Sequence, residues 1–264
     1  MPWWPMPCTW VSKTPFVSTV GLCIAIQHPD TRLSRRKLLH FAEMARMPRV
    51  WEHPPNTAWT WRERLQNPEA LSIPPSQSQD PPLILELGCG TGLWTVGVGS
   101  KKPDHLWLGA DIKGARMWHG AKQIEALGLN NAGFLRTRLE DIEMYFGEGE
   151  ISEIWITFPD PQPRESREKK RLTSPAFLKR YRKVLQDGGC LHLKTDNTAL
   201  FEYTLEAWRD NGLTLERCIR DVHHPDERAQ RNAYEQETLS VLTTYESRYM
   251  AQGLPIHYVR ARWT

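Results

Sequence analysis

The sequence predicts an α/β fold, a doubly wound and mostly parallel sheet with an N-terminal extension, and three observations lead there. From Pro82 onward, short apolar runs alternate with helical stretches, the spacing of repeated strand–helix–strand units. The first run, Leu83–Leu87, feeds a glycine-rich turn, Gly88-Cys89-Gly90-Thr91-Gly92, where a helix should open. The second run ends on an acid, Asp111. Sheets wound this way gather ligands beyond the carboxyl ends of their strands, so both features fall where a site belongs.

The elements follow in order. Residues 1–31 include Trp3, Trp4 and Trp10 and sustain neither a strand nor a helix period, which predicts a poorly ordered arm. Residues 33–44 have the apolar spacing of a short helix, stopped by Pro48. Pro54-Pro55, Pro68, Pro74-Pro75 and Pro81-Pro82 then mark a connector, so residues 32–81 read as helix plus linker and 82–264 as the compact domain. Within it, strands are expected at 83–87, 105–110, 132–136, 153–158 and 190–194. Helices should follow the glycine turn and cover 115–127, 175–185 (ended by Gly188-Gly189) and 201–211.

Composition narrows the function classes. At 264 residues, 40% apolar and 25% charged, the chain can bury a full core. Its longest mostly apolar run, residues 16–26, falls well short of the roughly 20 residues a membrane span needs. Lys13 is the only early charge and no small-residue cleavage pattern follows Ile26, so no secretory signal is expected. Five scattered cysteines without a Cys-x-x-Cys pair predict neither a disulfide framework nor a zinc site, but reduced thiols of a cytoplasmic protein. His223-His224 reads as a surface loop, and no metal is expected. Trp94, Trp107, Trp118 and Trp155 fall on core elements and read as packing residues, with Cys89 a small filler in the turn.

Charge is unevenly placed. The net value is +3, yet residues 164–183 hold nine basic side chains opposed only by Glu165 and Glu168. Such a run is either a solvated face or a footprint for a polyanion, since cations held on one surface displace counterions from a phosphate backbone.

The turn itself admits two readings. A dinucleotide fingerprint requires a third glycine at position 93, where Leu93 stands. The pattern present, with Glu86 two residues ahead of Gly88, resembles the first motif of S-adenosylmethionine-dependent methyltransferases. That resemblance places the backbone at Gly88 and Gly90 against the cofactor and Glu86 near its cationic aminoacyl end. Asp111 is placed to accept hydrogen bonds from ribose hydroxyls. After the third strand, Glu140 is the candidate contact to adenine, although an acid there is also simply favoured at a helix N-terminus.

At the end of the fourth strand stands Phe158-Pro159-Asp160-Pro161-Gln162-Pro163-Arg164. Three prolines fix φ and build a stiff loop that presents Asp160. The basic run follows directly, an arrangement suited to a nucleic-acid base held at the cofactor with phosphates outside.

Through LELGCGTG, GADIKGARMWHGAK, IWITFPDPQPR, KKRLTSPAFL, LHLKTD and TTYESR, the chain resembles the bacterial tRNA (guanine-N7-)-methyltransferases, a class I, Rossmann-like, S-adenosylmethionine-dependent family. The likeness covers residues 82–264 and extends upstream to about residues 37–54. It implies methyl transfer from S-adenosyl-L-methionine to N7 of a guanosine in tRNA, at variable-loop position 46; the sequence leaves monomer and homodimer equally open. It makes Asp160 the acidic residue at the catalytic centre and a cofactor contact, and Arg164, Asp196, Thr243, Thr244, Tyr245 and Glu246 contacts to substrate. Departures are Gln162 for a common tryptophan or histidine, Arg138 for a common acid, and Arg164 for a common lysine, which alters hydrogen-bond geometry. Guanine N7 carries a lone pair and no proton, so Asp160, with Asp196 beside it, is expected to orient and stabilise rather than abstract a proton. An RNA methyltransferase acting at another position and a catalytically silent tRNA-binding subunit remain the competing readings.

Overall fold

Apolar residues occupy successive positions along each central strand, so both faces of the sheet need a cover. In the computed structural model, which describes residues 29–52, 60–66 and 81–263, helices supply it on both sides. The order is α1 (Pro29–Met44), β1 (Val50–Glu52), α2 (Trp61–Gln66), β2 (Leu83–Leu87), α3 (Leu93–Lys101), β3 (Leu106–Asp111), α4 (Gly114–Leu127) and β4 (Ala132–Arg136). It continues with β5 (Ile151–Thr157), α5 (Pro175–Val184), β6 (Leu185–Thr195), α6 (Thr198–Asp210), β7 (Leu213–Ile219), α7 (Pro225–Ala229), α8 (Ala233–Leu239), α9 (Thr244–Met250) and β8 (His257–Trp263). Short 3-10 helices span Leu139–Met144 and Glu165–Lys170.

Among the described residues, eight strands form one sheet in the order β1-β4-β3-β2-β5-β6-β8-β7. All neighbours from β1 to β6 pair parallel, while β8 runs antiparallel to both β6 and β7. The chain winds outward from β2 through β3 to β4, then returns to β5 on the other side of β2. The junction of β2 and β5 is therefore the switch point where a crevice opens.

Strand alternation sorts the core into two layers. Leu83, Leu85, Leu87, Leu106 and Leu108 join one cluster with Phe177 of α5 and Phe201 of α6. Ile84, Trp107, Phe134 and Trp155 join the other with Trp94 of α3 and Met117 of α4. Trp94, Trp107 and Trp155 are buried, as a packing role requires. Trp118 is half-buried between α4 and α1, stacked on His40 at 4.1 Å with its Nε1–H donated to Glu43.

The structure differs from the sequence reading at four places. Residues 1–28 lie outside the described residues, and α1 begins at Pro29 within the expected arm. The segment 32–81, read as helix plus linker, also supplies β1, which extends the sheet beside β4, and α2, whose Trp61 and Leu65 are buried. Gly188-Gly189 does not end a helix. The helix stops at Val184, and the glycines lie in an irregularity of β6, where pairing jumps from Ile151↔Leu185 to Glu153↔Cys190. A Cβ on Gly189 would stand 2.8 Å from the Ser152 carbonyl, so this close approach demands glycine. Finally, β7, β8 and α7 to α9 complete the sheet and one wall of the site.

Candidate active site

The glycine turn is built by its backbone. Gly88, Gly90 and Gly92 all take left-handed φ values, and at Gly92 (φ 73) a Cβ would also stand 2.2 Å from the Phe134 ring. The Gly88 N–H donates to the Ala110 carbonyl at 2.8 Å. Asp111, last residue of β3, accepts the Gly90 N–H on Oδ2 at 2.9 Å and the Lys113 N–H on Oδ1 at 2.8 Å. The acid thus locks the first turn to the second, and each of its oxygens keeps a lone pair for a further donor.

Glu86 sits one level deeper. It is 2% exposed. Its Oε1 accepts the Thr157 hydroxyl at 2.5 Å, and Oε2 accepts the Thr95 N–H at 3.2 Å and the Thr95 hydroxyl. One carboxyl therefore ties β2 to the start of α3 and the end of β5, the strand that carries the Asp160 loop. Burial pushes that carboxyl up to about 7, against the hydrogen bonds from Thr157 and Thr95 that favour its charge. A raised carboxyl stabilises the folded protein fully below the ordinary carboxylate range, and that contribution is lost as pH rises through about 7. In Glu86→Gln this dependence should vanish. Between about pH 5 and pH 8, wild type should lose about 2 to 3 kcal/mol more than the variant in denaturant titrations. Parallel pH curves for the two proteins would exclude Glu86 as the titrating group.

A cleft of about 940 Å³ opens at the switch point. Glu86, Gly88, Gly90, Asp111, Glu140, Asp160, Asp196, Thr243 and Tyr245 all line it, joining most of the residues expected at the site. Glu140 stands on the rim, its carboxylate 3.9 Å from the Arg138 guanidinium. Asp160 is exposed, with Oδ1 accepting the Gln162 N–H at 3.1 Å. Asp196, just past β6, is half-buried, and burial pushes its carboxyl up. Cys89 is buried and burial raises its thiol well above the ordinary value, consistent with a filler and not a nucleophile.

Three expected substrate contacts stand elsewhere. Arg164 and Thr244 are exposed but do not line the cleft. Glu246 is fully buried beneath it. The Thr243 hydroxyl accepts the Glu246 N–H at 3.1 Å, capping α9. The Glu246 carboxylate pairs with Lys194 Nζ at 2.7 Å, and its Oε1 lies 2.8 Å from His223 Nε2. Burial alone would raise this carboxyl; the His223 hydrogen bond and the Lys194 charge outweigh it and hold it below the ordinary value. His223, read as part of a surface loop, is thus half-tucked against the ion pair, while His224 is exposed.

The sequence reading missed Tyr249, which joins the expected Tyr245 in lining the cleft from α9. The Tyr245 hydroxyl accepts from Arg116 of α4 at 3.2 Å. The aromatic spacing within TTYESRY was the available signal for Tyr249. Among the described residues, no group of histidine, cysteine and acidic side chains is arranged to hold a metal ion, and no helix is long and apolar enough to cross a membrane.

The basic run divides by partner. Arg171, Arg180, Arg182 and Lys183 are engaged by groups of this chain. Arg164, Arg167, Lys169, Lys170 and Lys179 are exposed and make no side-chain hydrogen bond or ion pair among the described residues, and Lys170 reaches the cleft.

Comparison with known proteins agrees with this geometry. A family model described as a putative methyltransferase matches residues 80–259. The tRNA (guanine-N(7)-)-methyltransferase of Bacteroides fragilis is 40% identical over 232 residues, covering 86% of each chain. That of Porphyromonas gingivalis is 45% identical over 180 residues, 68% of this chain and 70% of its own. Among solved structures, the 16S rRNA methyltransferase KamB aligns with a TM-score of 0.50 at 16% identity over 68% of this chain and 86% of its own, a likeness of fold. The chain belongs to the family of tRNA (guanine-N(7)-)-methyltransferases.

Proposed function

We propose that this protein transfers a methyl group from S-adenosylmethionine to N7 of a guanosine in tRNA, at variable-loop position 46. One observation carries the reading: the Asp160 loop faces the same cleft as the glycine turn and Asp111, and cations with no side-chain partner among the described residues begin four residues beyond Asp160. Family relatives that bear this activity in their names span most of the chain.

The residues present fit the cofactor. The left-handed glycines clear the backbone for close approach, Asp111 keeps acceptors that could serve ribose hydroxyls, and Glu140 and Leu139 line the same cleft as candidates to contact adenine. When bound, S-adenosylmethionine supplies an electrophilic sulfonium methyl. The chain's own task is then positioning, because N7 needs no base to free its lone pair. With Oδ1 engaged by Gln162, Asp160 keeps Oδ2 to accept a guanine N–H. Its charge also stabilises the positive character that the purine gains on methylation. Asp196 supports the same edge from the end of β6. The exposed lysines and arginines are placed to hold phosphates around the guanosine.

Incubation with methyl-labelled cofactor and unmodified tRNA, followed by nucleoside mapping, tests this. The expected product is 7-methylguanosine at position 46 alone, lost when that guanosine is replaced. Label at another nucleoside would favour the other-position reading, and tRNA binding without cofactor binding would favour a silent subunit.

A further inference from the structure

We propose that Arg171 is a positioning residue for the Asp160 loop and not one of the cations that hold RNA. The inference rests on the functional reading above and names a residue through which that site is held. The loop is unusual at both ends. Phe158 (φ 48) and Gln162 (φ 44) are non-glycine residues in the left-handed region, a conformation that persists only when its surroundings enforce it.

Each end has an enforcer. The Phe158 N–H donates to the Lys194 carbonyl at 2.8 Å, fastening the near end to β6. At the far end, Gln162 is held from both sides of its backbone. Its N–H reaches Asp160 Oδ1 at 3.1 Å, and its carbonyl accepts Arg171 Nε–H at 3.2 Å. Arg171 is itself immobilised. Its guanidinium lies 4.2 Å over the Tyr203 ring of α6, and the Tyr203 hydroxyl donates to Glu168. Its own N–H and carbonyl bond Glu168 and Ser174. A planar guanidinium can stack by its face and donate in its plane at once, a combination lysine lacks. Lys169 and Lys170, its neighbours, are exposed and free of such partners among the described residues. Three adjacent cations therefore do two different jobs. Without Arg171, Gln162 is released from its strained conformation and Asp160 loses the N–H that sets its rotamer.

Steady-state methylation of tRNA across a salt series separates the roles. Arg171→Ala is expected to lower kcat about 10- to 100-fold, the scale of a small misplacement at a reacting centre, with tRNA KM and its salt slope as in wild type. Arg171→Lys should recover part of kcat. Lys169→Ala and Lys170→Ala should instead raise KM and flatten the salt dependence by about one unit each. Tyr203→Leu, remote from the cleft, should lower kcat in the same direction, and adding it to Arg171→Ala should cost nothing further. If Arg171→Ala does not fold, Arg171→Lys and Tyr203→Leu decide, reduced kcat at constant KM supporting the proposal and unchanged kcat overturning it. A raised KM and flattened slope in Arg171→Ala with kcat intact would also overturn it. Absence of tRNA methylation by wild type would instead bring down the functional reading on which it stands.

Discussion

Replacing Asp160 with alanine is expected to lower turnover about 100- to 1,000-fold, the usual cost of removing one preorganised electrostatic group from a reacting centre. Affinity for S-adenosylmethionine should stay within a few-fold. The reason is geometric: Asp111 and the glycine turn hold each other through the Gly90 and Lys113 N–H groups, with no part of the Asp160 loop in that network. Asp160→Asn should fall between the two proteins, because its carbonyl oxygen can still accept the Gln162 N–H while the charge is gone. Single-turnover methylation alongside equilibrium cofactor binding checks both. Wild-type turnover in Asp160→Ala would remove this carboxylate from the mechanism. A parallel collapse of cofactor affinity would show that it serves the cofactor first.

The second large effect lies below the cleft. Lys194 and Glu246 are each 0% exposed and face each other at 2.7 Å, with Lys194 also donating to the Leu239 carbonyl. Removing one partner strands the other as a buried charge. Lys194→Met or Glu246→Ala should each cost about 3 to 5 kcal/mol. In a chain of this size that corresponds to a melting temperature lower by roughly 10 °C. The double variant Lys194→Met/Glu246→Leu should regain most of the loss, since no charge is left unpaired. Glu246 also carries a pH signature. Its carboxyl sits below its ordinary value, so its contribution holds above the ordinary carboxylate range and is lost on acidification. A Glu246→Ala protein that melts like wild type but binds tRNA poorly would return this residue to the substrate surface.

Strands β2 to β5 were legible because each is buried along most of its length and reads as a short, largely apolar stretch, most plainly at Leu83–Leu87. The cleft was legible for a related reason, since glycine turns and terminal acids cluster at strand ends. What stayed hidden depends on pairing across distance. Three residues of β1 carry no measurable period, and only contact with β4 makes them a strand. In β7 and β8, charged side chains interrupt the apolar pattern. Arg260 and Arg262 both meet Glu216, so what looks like a polar segment is a ladder of ion pairs on one sheet face. The position of Glu246 could not be read from TTYESR, because its partner Lys194 lies 52 residues away. The basic run hid its division for the same reason: only the fold brings Tyr203 beneath Arg171 and leaves Lys169 bare.

The order of strands also has a consequence for how the protein is made. β8 follows every other strand in the chain yet lies between β6 and β7, and α9, which walls the cleft, immediately precedes it. During synthesis, two neighbouring edges must stay open until this closing staple emerges, so the enzyme cannot acquire its substrate cleft before its architecture is whole. A ribosome that stops short of His257 releases a chain in which β6 and β7 each lack the neighbour that joins them.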